Sequence, residues 1–280
     1  MKPEVDQFTE LIDWGKDSEN VRAMLMTGSR AEPNSFTDSL SDYDIELYVK
    51  DTAPFLKDDW MEFLGNIMIR WPLEPASTFS EHWITRLVIF TNGSRFDFQI
   101  TGLQNPDHST LRHGFKIILD KDNLFSCLAA DPIRDKPVSV PDEKKFLDLV
   151  NAYFWDATYV AKCLRRNELF YAKYMLDSNL RFSKLQVILE WHINMINDIP
   201  VNTNKYGRFF RKYLSQELWS RVENTFAGAG IDDNWNALFN MTDLFRKLAV
   251  EISLHYGFSY PEATDRAVTA YCKKIQSTGL

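Results

Sequence analysis

The sequence predicts an α+β fold in which a β-sheet with flanking helices is followed by a C-terminal α-helical bundle. Before residue 131, short segments with the two-residue period of strands alternate with helical segments, whereas apolar positions after residue 141 follow the period of helices. Three prolines, Pro132, Pro137 and Pro141, lie in the polar stretch between these halves, as is typical of a linker. We therefore predict two domains, residues 1–135 and 136–280.

The first half is predicted to begin with a helix and a buried strand. One helical face would carry the apolar residues Val5, Phe8, Leu11 and Ile12. An apolar run over residues 21–26 then stops at Thr27-Gly28-Ser29, as expected for a buried strand that enters a tight turn.

The segment from Asp42 to Val49 alternates strictly, which is the pattern of a strand with one apolar face. Its apolar face carries Tyr43, Ile45, Leu47 and Val49. The opposite face carries Asp42, Asp44, Glu46 and Tyr48. Two carboxylates at positions i and i+2 therefore lie on the same side of this strand.

A β-hairpin is predicted next. Residues 87–91 form a strand, and Asn92-Gly93 favours a hairpin turn because both residues tolerate positive φ. The returning strand alternates again and places Asp97 between Arg95 and Gln99, on the face opposite Phe96 and Phe98. Residues 115–119 predict one more strand.

The second half reads as helices throughout. A three- to four-residue apolar period runs over residues 146–160, 185–196, 219–226 and 238–256. Pro261-Glu262 predicts the start of a last helix. The simplest interpretation of these apolar stripes is the core of a helical bundle.

Composition excludes several classes of function. The net charge is −7 and no block of five Lys or Arg occurs, so we expect no nucleic-acid partner, and an acidic protein suits a cationic substrate. Three distant cysteines without a C-x-x-C pair indicate a reducing compartment. No signal peptide and no apolar stretch of roughly 20 residues is visible. We therefore expect a cytoplasmic protein without a membrane partner.

Three features of the first half can carry chemistry together. Gly28-Ser29 at the end of a strand can hold phosphate oxygens, and Arg30 adds a fixed positive charge. Asp42 and Asp44 repel each other on one strand face, and bound Mg²⁺ would relieve that repulsion. If the hairpin strand with Asp97 neighbours them, three carboxylates converge as two-metal phosphoryl or nucleotidyl transfer requires. Taken singly, each feature also fits an ordinary turn or a solvated strand face.

This combination resembles the polymerase-β-type nucleotidyltransferase superfamily. More narrowly, these motifs and the stretch from Phe154-Trp155 through Glu190-Trp191-His192 resemble the aminoglycoside 6-adenylyltransferases, which modify streptomycin, over nearly the full chain. The narrower match also includes Tyr159, Lys162, Arg165, Asn167 and Glu168 in one helical run. The chain departs from the superfamily pattern in the length of one loop. Twelve residues, Pro33 among them, separate Ser29 from Asp42, more than in the tightest versions of the superfamily turn.

The resemblance implies a nucleotidyltransferase domain with a mixed β-sheet over residues 1–135 and a helical substrate-binding domain over residues 136–280. It implies two Mg²⁺ ions on Asp42, Asp44 and Asp97, with Asp97 also accepting the proton of the substrate hydroxyl, either directly or through the field of the metal. ATP would be the co-substrate, its β- and γ-phosphates held by Gly28 and Ser29 and assisted by Arg30 and Lys162. Lys162 fits a surface position on an amphipathic helix equally well.

The resemblance also implies the reaction, transfer of AMP from ATP to a hydroxyl of streptomycin with release of pyrophosphate, which confers antibiotic resistance. Guanidinium groups of such a substrate favour carboxylates and aromatic faces, which singles out Asp156, Glu190 and His192. The sequence leaves open another acceptor, such as a lincosamide, another small alcohol or a protein hydroxyl. It also leaves open a non-catalytic nucleotide-binding module, another triphosphate, and the oligomeric state.

Overall fold

A computed structural model shows two compact units, residues 1–134 and 135–280. The residues that the structure describes are 6–32, 37–74, 78–80, 83–104, 111, 114–125, 141–197 and 201–278. The predicted linker over residues 131–141, apart from Pro141, lies outside the described residues. None of the helices in the described ranges is long and apolar enough to cross a membrane.

The first unit is built around one sheet with short helices. Its strands are β1 (Val21–Thr27), β2 (Tyr43–Val49), β3 (Ile67–Trp71), β4 (Thr78–Ser80), β5 (Trp83–Phe90), β6 (Arg95–Gly102) and β7 (Lys116–Asp120). Its α-helices within the described residues are α1 (Gln7–Asp17) and the single turn α2 (Gly28–Ala31), and two 3₁₀ segments cover Ala53–Leu56 and Asp59–Leu64.

The sheet is mixed, which confirms the predicted fold class. Its strand order is β3-β5-β6-β2-β1-β7, and β4 pairs with β5. Strands β2 and β6 are parallel, whereas the other pairs are antiparallel. The hairpin predicted from Asn92-Gly93 joins β5 to β6, with Gly93 at φ +89°. Strands β3 and β4 were not predicted, and most of the β3 side chains are exposed, so no clean alternation marks that strand.

The alternation predicted for β2 and β6 decides which face is core. Ile45, Leu47 and Val49 pack with Phe96, Phe98 and Ile100, all fully buried, against Leu11 of α1. Burying these side chains removes apolar surface from water, which stabilises the unit by roughly 1.5–3 kcal/mol for each large side chain. Because strand side chains alternate, the aspartates of the same strands are held on the opposite face.

The second unit is helical, as predicted. Its elements are α3 (Glu143–Arg165), α4 (Leu169–Lys173), a π-helical segment (Tyr174–Leu185), α5 (Gln186–Ile196), a 3₁₀ turn (Lys205–Gly207), α6 (Phe210–Tyr213), α7 (Gln216–Glu223), α8 (Ile231–Tyr256) and α9 (Glu262–Ser277). The predicted stripes fall mainly in α3, α5, α7 and α8, although the stripe over residues 219–226 extends past the end of α7 at Glu223. Cap residues outside those stripes begin two of the helices earlier than predicted: Asp142 accepts from the Lys145 amide (2.7 Å) and Ser215 from the Leu218 amide (3.2 Å).

The chain from α3 to the π-helical segment departs from plain α-helix at two points. Helix α3 ends at Arg165, and Asn167 has φ +58°, so the predicted single run through Glu168 is interrupted there. The π-helical segment follows α4 directly, and its Asp177 forms an ion pair with Lys173 of α4 (3.0 Å). Its wider turn was not predicted, since none of the predicted apolar stripes covers residues 174–184.

Candidate active site

The parallel pairing of β2 with β6 places two of the predicted carboxylates side by side. Asp44 and Asp97 are register partners on adjacent strands, and adjacent strands lie about 4.8 Å apart. Asp42 precedes β2 by one residue and is spaced two residues from Asp44. The strand adjacency on which the predicted cluster depended is therefore confirmed.

The glycine turn lies against the same carboxylates. Thr27, the last residue of β1, pairs with Asp44, so the chain passes over that side chain as it leaves the strand. Gly28 has φ +63°, and a Cβ built on it would lie 1.9 Å from Oδ2 of Asp44. Only a glycine allows both this backbone conformation and this close approach. The predicted phosphate-binding turn and the predicted metal ligand thus belong to one site.

The side chain of Arg95 links the carboxylates. Its Nε and Nη2 donate to Oδ1 and Oδ2 of Asp97, both at 2.8 Å, in the bidentate geometry typical of arginine and carboxylate. Its Nε also lies 3.4 Å from Oδ2 of Asp42. The hydrogen bonds of Asp97 raise the pKa of Arg95 most, partial burial opposes this, and the charges of Asp97, Asp42 and Asp44 raise it further. All three predicted ligands therefore act on one cation.

The donor set fits a divalent cation of the Mg²⁺ type. Carboxylate oxygens are the hard ligands that Mg²⁺ takes, with phosphate and water oxygens completing its octahedron. Asp44 and Asp97 lie in register, and Asp42 contacts Arg95, which also binds Asp97. These three side chains supply the type of ligand atom that Mg²⁺ needs. Among the described residues, no three His, Cys, Asp or Glu side chains are already arranged around a common ion position. In this arrangement the guanidinium of Arg95 neutralises Asp97 and Asp42 instead.

Arg30 organises the loop that leads into β2. Its guanidinium donates to the carbonyls of Ser41 (2.8 Å) and Asp42 (3.1 Å) and lies 4.0 Å from the centroid of the Tyr43 ring. These contacts fix the backbone of Asp42, so Arg30 orients the start of β2, where the predicted metal ligands lie. Its predicted assistance to the phosphates stays a prediction. Part of the long loop after Ser29, residues 33–36, lies outside the described residues.

A polar cavity of about 530 Å³ lies beside Arg95. Both arginines of the site line it, together with side chains that offer hydroxyls and amides. These lining residues include Arg30, Ser39, Ser41, Asn92, Ser94 and Arg95. Arg95 therefore lies at the boundary between this cavity and the carboxylate cluster.

In the second unit, each predicted site residue has a different partner. Asp156 forms a mostly buried ion pair with Lys184 (2.7 Å), and Nζ of Lys162 lies 4.3 Å from the Tyr159 ring centroid. These contacts hold both side chains, and their predicted roles toward acceptor and triphosphate stay predictions.

The other two predicted acceptor residues lie on α5. Glu190 accepts from Gln186 (2.9 Å), and burial raises the pKa of Glu190. Nε2 of His192 lies 2.9 Å from Oε2 of Glu251, and burial lowers the pKa of His192. Glu190 and His192 contact different partners, and their predicted roles toward the acceptor stay predictions.

Sequence reasoning missed the part played by Arg95. The available signal was an opposite charge two residues before Asp97 on the same strand face, a spacing at which side chains can meet. For Glu46, the sequence predicted only that it lies on the polar face of β2 and not that its carboxylate is buried. It is 2% exposed and accepts from the hydroxyl of Tyr48 (2.9 Å), so the polar face of β2 continues into the interior as a buried hydrogen-bonded carboxylate.

Similarity to characterised proteins extends over nearly the whole chain. It is 27% identical to the aminoglycoside 6-adenylyltransferase of Bacillus subtilis (strain 168), over 98% of each chain. It is 26% identical to that of Campylobacter jejuni, over 93% of this chain and 92% of the relative. A crystal structure of an aminoglycoside 6-adenyltransferase from Bacillus subtilis aligns over 99% of this chain and 100% of that one, with 24% identity and a TM-score of 0.49. The family model described as streptomycin adenylyltransferase matches residues 1–275. The chain therefore belongs to the streptomycin adenylyltransferase family of nucleotidyltransferases.

Proposed function

We propose that this protein transfers AMP from ATP to a hydroxyl of streptomycin and releases pyrophosphate, which protects the host from the antibiotic. The observation that carries the proposal is the convergence of Asp42, Asp44 and Asp97 on one cation beside the Gly28 turn. Family membership supports the reaction class. In this proposal residues 1–135 form the nucleotidyltransferase domain and residues 136–280 the substrate-binding domain.

The reaction needs one bond formed and one broken at the α-phosphorus. The acceptor oxygen attacks that phosphorus, the bond to the bridging oxygen breaks, and pyrophosphate leaves with the electron pair. Asp97 would accept the proton of the acceptor hydroxyl. When bound, two Mg²⁺ ions on Asp42, Asp44 and Asp97 would neutralise the phosphate oxygens. The backbone of Gly28 and the hydroxyl of Ser29 would hold the β- and γ-phosphates, with Arg30 and Lys162 assisting.

The acceptor is expected to be cationic. The net charge of −7 favours a substrate that carries guanidinium or ammonium groups and opposes nucleic acid. Asp156, Glu190 and His192 are the proposed acceptor contacts. For Asp156 this requires that the substrate compete with Lys184, its ion-pair partner in the second unit.

A pyrophosphate-release assay tests the proposal. Purified protein with ATP and Mg²⁺ is offered streptomycin, other aminoglycosides and a lincosamide, and mass spectrometry identifies any adenylylated product. We expect release with streptomycin and none without Mg²⁺. Asp42→Asn and Asp97→Asn should each abolish release while the circular dichroism spectrum is retained. Release with the lincosamide alone would refute the acceptor, and full activity of either variant would refute the ligand assignment.

A further inference from the structure

Arg95 occupies the oxygens that a metal ion would use. Both carboxylate oxygens of Asp97 accept hydrogen bonds from it at 2.8 Å, and Asp42 lies 3.4 Å from its Nε. A guanidinium that binds a carboxylate bidentately covers its lone pairs on the side facing the cation. Two cations therefore compete for the same oxygens.

The exposures of the paired side chains show which partner can move. The Asp97 side chain is 16% exposed, whereas that of Arg95 is 40% exposed. The backbone of Arg95 is held by pairing to β5, and that of Asp97 by pairing to β2 and β5. Rotation of the Arg95 side chain can therefore uncover the Asp97 oxygens without moving either strand. The adjoining polar cavity, which Arg95 already lines, gives the displaced guanidinium a solvated place to go.

We propose that Arg95 is a built-in counter-cation, which a divalent ion must displace from Asp97 and Asp42, and that it thereby weakens metal binding by the nucleotide-free protein. This inference rests on the proposed function, since it takes these aspartates as the metal ligands. Its consequence is that the site accepts metal most readily together with the nucleotide, whose phosphates supply further metal ligands and an anionic partner for the released arginine.

The contrary interpretation is that the ion pair only stabilises the sheet. Ion pairs that are partly exposed contribute at most about 1 kcal/mol to stability, and removing a purely structural one should leave metal affinity unchanged. Metal affinity without nucleotide therefore separates the two interpretations.

The experiment measures Mn²⁺ binding to the full chain without nucleotide, by electron paramagnetic resonance of the free ion. Arg95→Gln removes the charge and keeps a polar side chain of similar reach. Arg22→Gln is the matched control. Like Arg95, Arg22 binds an aspartate bidentately, since it donates to Asp122 from Nε at 2.7 Å and from Nη2. Unlike Arg95, it lies away from the proposed metal site, at the far end of β1 and six residues before Gly28. We expect Arg95→Gln to bind Mn²⁺ roughly tenfold more tightly, the effect of removing two partly exposed ion pairs. Arg22→Gln should bind as the parent does.

Arg95→Lys keeps the charge without the fork and should fall between the parent and Arg95→Gln. If Arg95→Gln fails to fold, the unaltered protein still gives an answer through nitrogen NMR of its arginine Nε–H groups. The Arg95 signal, assigned by its loss in Arg95→Lys, should shift on addition of Mg²⁺, while the Arg22 signal should not. An Arg95 signal that stays in place under saturating Mg²⁺ would overturn the inference.

Two failures are distinguishable. If the parent binds Mn²⁺, Asp44→Asn abolishes that binding, and folded Arg95→Gln binds no more tightly than the parent, the inference fails and the metal site stands. If Mn²⁺ binds none of the proteins, or binds Asp44→Asn unchanged, the ligand assignment itself fails and the inference fails with it.

Discussion

Replacing Gly28 with alanine tests whether the turn and the carboxylates form one site. The new Cβ would lie 1.9 Å from Oδ2 of Asp44 and 2.7 Å from its Cγ. To reach an ordinary contact of about 3.4 Å, the carboxylate oxygen must retreat by about 1.5 Å. A misplacement of about 1 Å at a reacting centre can lower the rate 10²-fold, so we expect Gly28→Ala to lose roughly 100-fold or more in turnover.

Backbone strain alone has a separate, measurable cost. An alanine at positive φ is less stable than glycine by about 1–2 kcal/mol, which corresponds to a fall in Tm of roughly 2–8 °C. Gly257→Ala is the control, because Gly257 has φ +74° and its Cβ would meet nothing within 4 Å. Both variants should therefore lose stability, and only Gly28→Ala should lose turnover.

The assays are pyrophosphate release, Mn²⁺ affinity and thermal unfolding, each on both variants. The expected pattern is a comparable fall in Tm with turnover and Mn²⁺ affinity lost only in Gly28→Ala. Parental turnover and Mn²⁺ affinity in Gly28→Ala would refute the reasoning, since Asp44 would then tolerate the displacement. Equal losses of turnover in both variants would attribute the effect to strain rather than to the site.

Three further predictions concern the helical unit. Burial raises the pKa of Asp265, but hydrogen bonds from Arg246 (2.6 Å) and Tyr260 (2.7 Å) outweigh burial and hold that pKa below its ordinary 3.8. The ionised Asp265 therefore stabilises the folded protein fully above pH 3.8, and this stabilisation is lost at lower pH. Denaturant melts should show Asp265→Asn less stable by about 3 kcal/mol at neutral pH and less acid-sensitive; equal pH slopes would contradict this. Burial lowers the pKa of His192 below its ordinary 6.5, so protonation of this residue favours the unfolded chain. The stability of the parent should therefore fall as the pH drops below 6.5, whereas the stability of His192→Gln should not show this fall. Parallel curves of stability against pH for the two proteins would contradict this prediction. Asp156→Asn should lower Tm, since it removes the charge partner of the mostly buried Lys184; an unchanged Tm with a raised KM for streptomycin would instead assign Asp156 to the acceptor alone.

The secondary structure that positions the site was predictable because it depends on local periodicity. Alternation over residues 42–49 and 95–100 assigned the aspartates to one face, and Asn92-Gly93 specified the hairpin that returns Asp97 to the sheet. The irregular elements were not predictable in this way. The π-helical segment and the exposed strand β3 have no periodic pattern that differs from that of ordinary helix or loop.

For the site, the sequence determined which carboxylates were available and that Asp42 and Asp44 share a face, because side chains two residues apart in a strand must do so. Only the tertiary structure decided that β6 lies parallel beside β2, since strand order depends on packing between segments about fifty residues apart. That pairing brings Asp97 into register with Asp44, and the crossing of the chain at Gly28 closes the site. The tertiary structure also decided that Arg95 contacts both Asp97 and Asp42. Which charged side chains form ion pairs depends on distances between segments, and the local sequence does not encode those distances.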